Sequence, residues 1–296
     1  MRALAGVLLS FCLCGGALAR DKGDNGGYPA DAATTLPNIY LDLKTTYTAL
    51  PSGVLSIGFD NPPEVWETLA TLISPEDPVL PASRGVAVDA PLTIDLTDRL
   101  SVYAGLNGSA SQIGEAPWTS FEIEDWNAGF HAEVYQQNGG TIPTITVQAT
   151  LTRSIPGAPL ATTELTTIAE ANYALNEDET RGLLAGLEYT GISVDTPSAS
   201  INPDITGYVG AYYQWENDWK LTGRLGVQSF GGAQLANFTP FRPFTQPVVR
   251  IDVDRMDDHD NRLFGVAVQI AWTPKPSYEL TVRTPLYAVR NSGNAN

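Results

Sequence analysis

Cysteine is nearly absent from this chain: the two present, Cys12 and Cys14, both fall within residues 1–19. Everything after them therefore lacks disulfides, thiolate nucleophiles and thiolate metal sites. A lipid anchor on either cysteine needs small residues before it, and Phe11 and Leu13 stand there instead. Long apolar runs are also missing, since no segment beyond the N-terminus approaches 18 consecutive apolar residues, which excludes a helical membrane span. Positive charge is scarce, 17 Lys and Arg against 33 Asp and Glu for a net −16, and such a chain has no electrostatic footprint for nucleic acid. Phosphate-cradling glycine loops and zinc spacings do not occur, so no cofactor is expected.

What is present begins with Arg2, an apolar run from Ala3 to Leu13, and small residues ending in Ala17-Leu18-Ala19. This order is that of a secretory signal peptide, and the spacing predicts cleavage after Ala19. Loss of Arg2 takes the net charge from −16 to −17. Residues 20–37 read as a short N-terminal segment, 38–288 as one β-domain, and 289–296 as a C-terminal tail.

Apolar and polar residues alternate with period 2 from Asn38 to Tyr287, the signature of half-buried strands. Ile39, Leu41, Leu43 and Tyr47 share one face, and Leu55, Ile57 and Phe59 follow as a second segment. Later segments run through Val86 to Leu96, Leu100 to Leu106, Ala128 to Val134, Ile145 to Leu151, Leu165 to Leu175 and Leu183 to Tyr189. The last four are Ile205 to Trp215, Trp219 to Val227, Phe264 to Trp272 and Tyr278 to Leu286. The count is twelve. Phe121–Glu124 and Val249–Val253 read as extra strands or extensions, with fourteen as the alternative count. Turn-forming stretches such as Pro51-Ser52, Thr97-Asp98, Asn217-Asp218 and Pro274-Lys275-Pro276 alternate with longer connections, as an up-and-down antiparallel sheet requires.

Three features separate a membrane barrel from a soluble sandwich. Many segments exceed the usual five or six residues of a strand and match the roughly 9–11 of a tilted membrane strand. Their apolar faces carry no Asp, Glu, Lys or Arg. Tyr47, Tyr173, Trp215, Trp219, Trp272 and Tyr278 sit on that face near short turns, as one interfacial ring. The chain thus resembles the outer-membrane porin and transporter barrels of Gram-negative bacteria across roughly residues 38–288. The resemblance implies an all-β, antiparallel up-and-down transmembrane β-barrel of about twelve strands, placed in the outer membrane after signal cleavage, with lipid and small solutes as partners. In two respects the sequence departs from that pattern. Nine residues follow Tyr287, where such barrels often end on an aromatic, and the twelve-strand count puts both termini on the long-loop side.

Phase assigns the polar face to the lumen. It carries Asp42, Asp89, Asp95, Glu133, Glu164, Glu170, Glu188, Glu216 and Glu279 against Lys44, Lys220, Arg224 and Arg283, nine acids minus four bases, a net −5. Carboxylate-rich walls favour cations, and the expected function is a cation-preferring channel or transporter for small polar solutes. Lumen charges that pair across strands and plug the barrel give the alternative, a non-conducting structural or surface-interaction barrel; a secreted soluble all-β binding protein is a further alternative. His131 and Glu133 share a lumen face, but no serine is spaced to join them, and no enzymatic activity is expected. Asp252, Asp254, Asp257, Asp258 and Asp260 form a weak candidate for cation ligation in what reads as the last long loop.

Overall fold

The computed structural model describes residues 38–52, 54, 81–137, 139–155, 161–197, 199–235, 242–256, 262–272 and 275–289. The signal-peptide site, the 20–37 segment, Leu55 to Phe59 and the tail after Val289 lie outside these residues. So do Asp257, Asp258 and Asp260 of the acidic cluster. The strands all fall within Pro37–Asn296.

Every described element is a strand: β1 (Ile39–Leu50), β2 (Ser83–Asp89), β3 (Leu92–Thr97), β4 (Leu100–Ile113), β5 (Glu122–Tyr135), β6 (Thr144–Ser154), β7 (Thr162–Ala174) and β8 (Arg181–Val194), followed by β9 (Ala199–Ile201), β10 (Asp204–Gln214), β11 (Trp219–Phe230), β12 (Ala233–Leu235), β13 (Phe244–Met256), β14 (Arg262–Trp272) and β15 (Pro276–Val289). Elements β2 and β3 act as one staff of the sheet, interrupted at Ala90-Pro91 because proline has no N–H to give the ladder. Both pair with β1 on one side and β4 on the other. With β9 and β12 paired only to each other, the main sheet has twelve staves.

The sheet closes on itself where β15 pairs with β1, Ile39 opposite Val289 and Ala49 opposite Tyr278. Closure removes both edges and leaves no ladder unpaired. All neighbours are antiparallel, so the fold is an all-β, closed, antiparallel barrel of twelve strands.

The membership of the twelve differs from the sequence reading. Both edges of β1 are taken, by β15 on one side and by β2 and β3 on the other, so β1 and β2 are direct neighbours. The missing strand is β13, a full stave of which Val249–Val253 is the middle, while Phe121–Glu124 leads into the start of β5. This exchange reverses the parity of the connections. The first residue of β1 and the last of β15 now share an end with 98–99, 136–143, 175–180, 215–218 and 257–261, none longer than eight residues. The far end carries 51–82 and 231–243. Both described ends of the barrel therefore lie on the short-connection side, not the long-loop side.

The core is inverted relative to a soluble protein. Leu183, Leu187, Val209, Leu225 and Val227 are all more than half exposed, while Thr190, Thr206, Gln228, Gln246 and Thr281 are buried on the inner face. A small apolar cluster of Leu184, Tyr208, Val248 and Ala271 packs inside, with Tyr212 against it. Inner-face tyrosines lie over glycines of the adjacent strand: Tyr208 covers Gly186, Tyr103 covers Gly129 and Tyr212 covers Gly182. In each pair the missing Cβ gives the ring room to lie flat along the wall.

Candidate functional site: the charged lumen

The inner face encloses a cavity of about 630 Å³. Of the residues assigned to the lumen from sequence, Asp42, Lys44, Asp89, His131, Glu164, Glu170, Glu188, Arg224 and Arg283 line it. Asp95, Glu133, Lys220 and Glu279 occupy inner-face positions beyond it, where Arg99 lies 3.6 Å from Glu133 and Lys220 stands 4.7 Å over the Tyr212 ring. Glu216 is not on a strand at all. It sits exposed in the 215–218 turn, closed by Trp215 and Trp219, with Asp218 at φ 63°.

Two cavity bases, Arg250 and Arg262, were not assigned from sequence because β13 was not counted and Arg262 lies at the very start of β14. Their strands also explain the acidic cluster. Asp252 and Asp254 do not reach into a loop but point inward from β13, and each meets an arginine. Asp252 accepts from Arg224 Nη1 at 2.8 Å, Arg250 Nη2 at 3.0 Å and Arg250 Nε at 3.1 Å, while Asp254 lies 2.7 Å from Arg262 Nε. Arg224 also reaches Glu170 at 3.4 Å, and Glu170 accepts the Tyr208 hydroxyl at 2.9 Å. A guanidinium on β11 thereby joins carboxylates of β13 and β7.

These pairs correct the charge balance. Five carboxylates line the cavity (Asp42, Asp89, Glu164, Glu170, Glu188) against five bases (Lys44, Arg224, Arg250, Arg262, Arg283), so the lining residues balance in formal charge, and Arg224, Arg250 and Arg262 pair in addition with Asp252 and Asp254. The signs are sorted by strand. The bases occupy β1, β15, β14, β13 and β11, which are consecutive around the barrel, and the acids other than Asp42 occupy β2, β7 and β8. Further carboxylates face inward above and below the cavity, among them Asp125 and Asp204, both buried. Asp125 keeps the inward phase of His131 and Glu133, but it precedes the Ala128 to Val134 segment counted from the sequence.

The aromatic ring expected at one level is two groups. Tyr173, Trp215 and Trp219 stand at the end bearing the chain termini of the barrel, whereas Tyr47, Trp272 and Tyr278 stand at the far end. All face outward, and all but the half-buried Tyr173 are exposed. The reversed parity of the connections causes the split.

The fold is thus that of the closed antiparallel barrels found in the Gram-negative outer membrane. No family model matches the chain, and no curated protein matches it. Among solved structures it is similar to an outer-membrane channel from Pseudomonas putida F1, at 12% identity over 90% of this chain and 100% of that one, with a TM-score of 0.55. The transport unit of the autotransporter AIDA-I from Escherichia coli also matches, at 10% identity, 86% and 91% coverage and a TM-score of 0.49. The translocator domain of the autotransporter NalP from Neisseria meningitidis gives 12%, 86%, 90% and 0.46 on the same measures.

Proposed function

We propose that the chain is an outer-membrane channel, delivered by signal-peptide cleavage after Ala19, that passes small polar solutes with a preference for cations and without enzymatic chemistry. The observation that carries this reading is the inverted barrel: apolar side chains outward, a charged cavity within. The outward stripe of β14 runs from Phe264 to Trp272. Its eight steps span about 27 Å along the strand, or about 20 Å after a tilt of roughly 40°, close to the apolar band of a membrane barrel.

The cation preference rests on the inner face as a whole. The cavity lining is balanced, but beyond it Asp95, Asp125, Glu133, Asp204, Asp252, Asp254 and Glu279 face inward, opposed by Lys220 and by Arg99 beside Glu133. The excess carboxylate should raise the local cation concentration, and the effect should weaken as salt shortens its reach. Planar-bilayer recordings test it: a reversal potential across a salt gradient should carry the sign of cation selectivity, and anion selectivity refutes the assignment.

One observation favours a second reading, a non-conducting structural barrel. Gln228, Gln246 and Val248 face inward yet are wholly buried, so the inner face is tightly filled toward the far end. Folded protein that never conducts would select this reading over the channel.

A further inference from the structure

On β13 each buried carboxylate has a guanidinium; on β5 the pattern fails. The register of β4 with β5 slips between Asn107 and Gly108, Asn107 facing Asp125 and Gly108 facing Ile123, which leaves Glu124 as the extra residue of a bulge. The bulge sends two consecutive carboxylates to the inner face. Glu124 accepts from Ser109 Oγ at 2.8 Å, and Ser109 is 3% exposed on that face. Asp125, 1% exposed, accepts from Asn107 Nδ2 at 2.8 Å. Asn127, 6% exposed and two residues on, donates its Nδ2 to Asp89 Oδ1 at 3.0 Å, which fixes which way its amide points.

Ser109 Oγ, Asn107 Nδ2 and Asn127 Nδ2 each reach a single carboxylate oxygen. Left over are Glu124 Oε2, Asp125 Oδ2 and Asn127 Oδ1, all buried, all acceptors and all without a hydrogen-bond partner. Among the described residues no Lys or Arg forms an ion pair with Glu124 or Asp125. Asp89 and Glu164 lie close enough to Asp125 to interact with it electrostatically, so with Glu124 four carboxyl groups gather here. Two carboxyl oxygens and a carboxamide oxygen, all buried and without donors, define a place for a hard cation, whose preferred ligands are oxygens.

We propose that this wall of the lumen binds one calcium ion between Glu124, Asp125 and Asn127. Calcium fits better than magnesium because it accepts irregular oxygen geometry, including that imposed by a bulge. No group of three acidic or histidine side chains suited to a metal occurs among the described residues, so the site is two carboxylates and one carboxamide with water completing the shell. The inference does not depend on conduction; a calcium-binding barrel that never conducts satisfies it equally.

The experiment uses the full chain refolded in detergent micelles and stripped with a chelator, titrated with CaCl₂ by calorimetry and with Tb³⁺ by sensitised luminescence. One saturable site is expected, weakened at least tenfold in E124Q/D125N and unchanged in E177Q/E179Q, which removes exposed turn charges instead. Should the first pair fail to fold, E124Q alone carries the test, since Glu124 is only partly buried. Wild-type protein that takes up no calcium saturably overturns the proposal, as does an equal loss in the two double variants, which would mean diffuse attraction to an acidic protein.

Discussion

Leu225 offers the sharpest test of which face meets lipid. It sits near the middle of β11, 58% exposed and outward, with Val209 of β10 and Val249 of β13 opposite it in register. Nothing polar on those neighbours is available to an inserted guanidinium, so Leu225→Arg must hold a charge in hydrocarbon. At mid-membrane depth that costs about 2–4 kcal/mol. At about 1.4 kcal/mol per tenfold, the folding equilibrium should fall roughly 30- to 700-fold. Val268→Arg, on the outward face of β14 and 42% exposed, should behave alike. The lumen control needs open space as well as the opposite face. Thr222 and Gln269 point inward but are 7% and 4% exposed, so an arginine there would overpack. His131, exposed within the cavity wall, is the better control. Urea titrations of protein folded into lipid vesicles, followed by tryptophan fluorescence, give the three free energies. If His131→Arg costs as much as Leu225→Arg, the outward face is not a lipid face and the membrane reading fails.

Arg224→Ala removes a half-buried hub that serves Asp252 and Glu170 and should cost about 3–5 kcal/mol, because it strands buried charge. Arg262→Ala leaves the buried Asp254 without its guanidinium, but the Arg262 side chain is 40% exposed and water can reach the gap, so a smaller cost of about 1–3 kcal/mol is expected in the same urea assay. Gly186→Ala drives a methyl into the ring of Tyr208; about 1–3 kcal/mol is expected, together with loss of the hydroxyl bond to Glu170, readable as a changed tyrosine absorbance on alkaline titration. Outside the barrel wall, the Arg153 guanidinium beside Asp195, 2.9 Å from Nη1, holds that carboxyl below the ordinary value of 3.8. The folded state therefore favours the charged form, and the link is present at neutral pH and lost as pH falls below about 4. Backbone hydrogen exchange around 195–197 should rise over that window, and Asp195→Asn should abolish the change.

The strand alternation, the class of fold and most of the inner-face charges are legible in the sequence, because period 2 ties each residue to a face and hydrocarbon tolerates no charge on the outer one. Leu225, Val268 and Glu188 fall where phase puts them for that reason. At β13 phase leaves the matter open: Val249–Val253 alternates as an extra strand or extension, while Asp252 and Asp254 read as charges of a long loop. Only barrel closure, which fills both edges of β1 and pairs β11 with β13 along its whole length, decides that this segment is a stave. With it come the end that bears the termini, the two aromatic groups and the charge-balanced cavity lining. Alternation is likewise blind to the bulge that turns Glu124 inward, since one extra residue inverts the phase locally. Local chemistry fixes which side of a strand a residue occupies; which strand lies beside it, and so which charge it meets, is settled by contacts between residues as distant in sequence as Arg224 and Glu170.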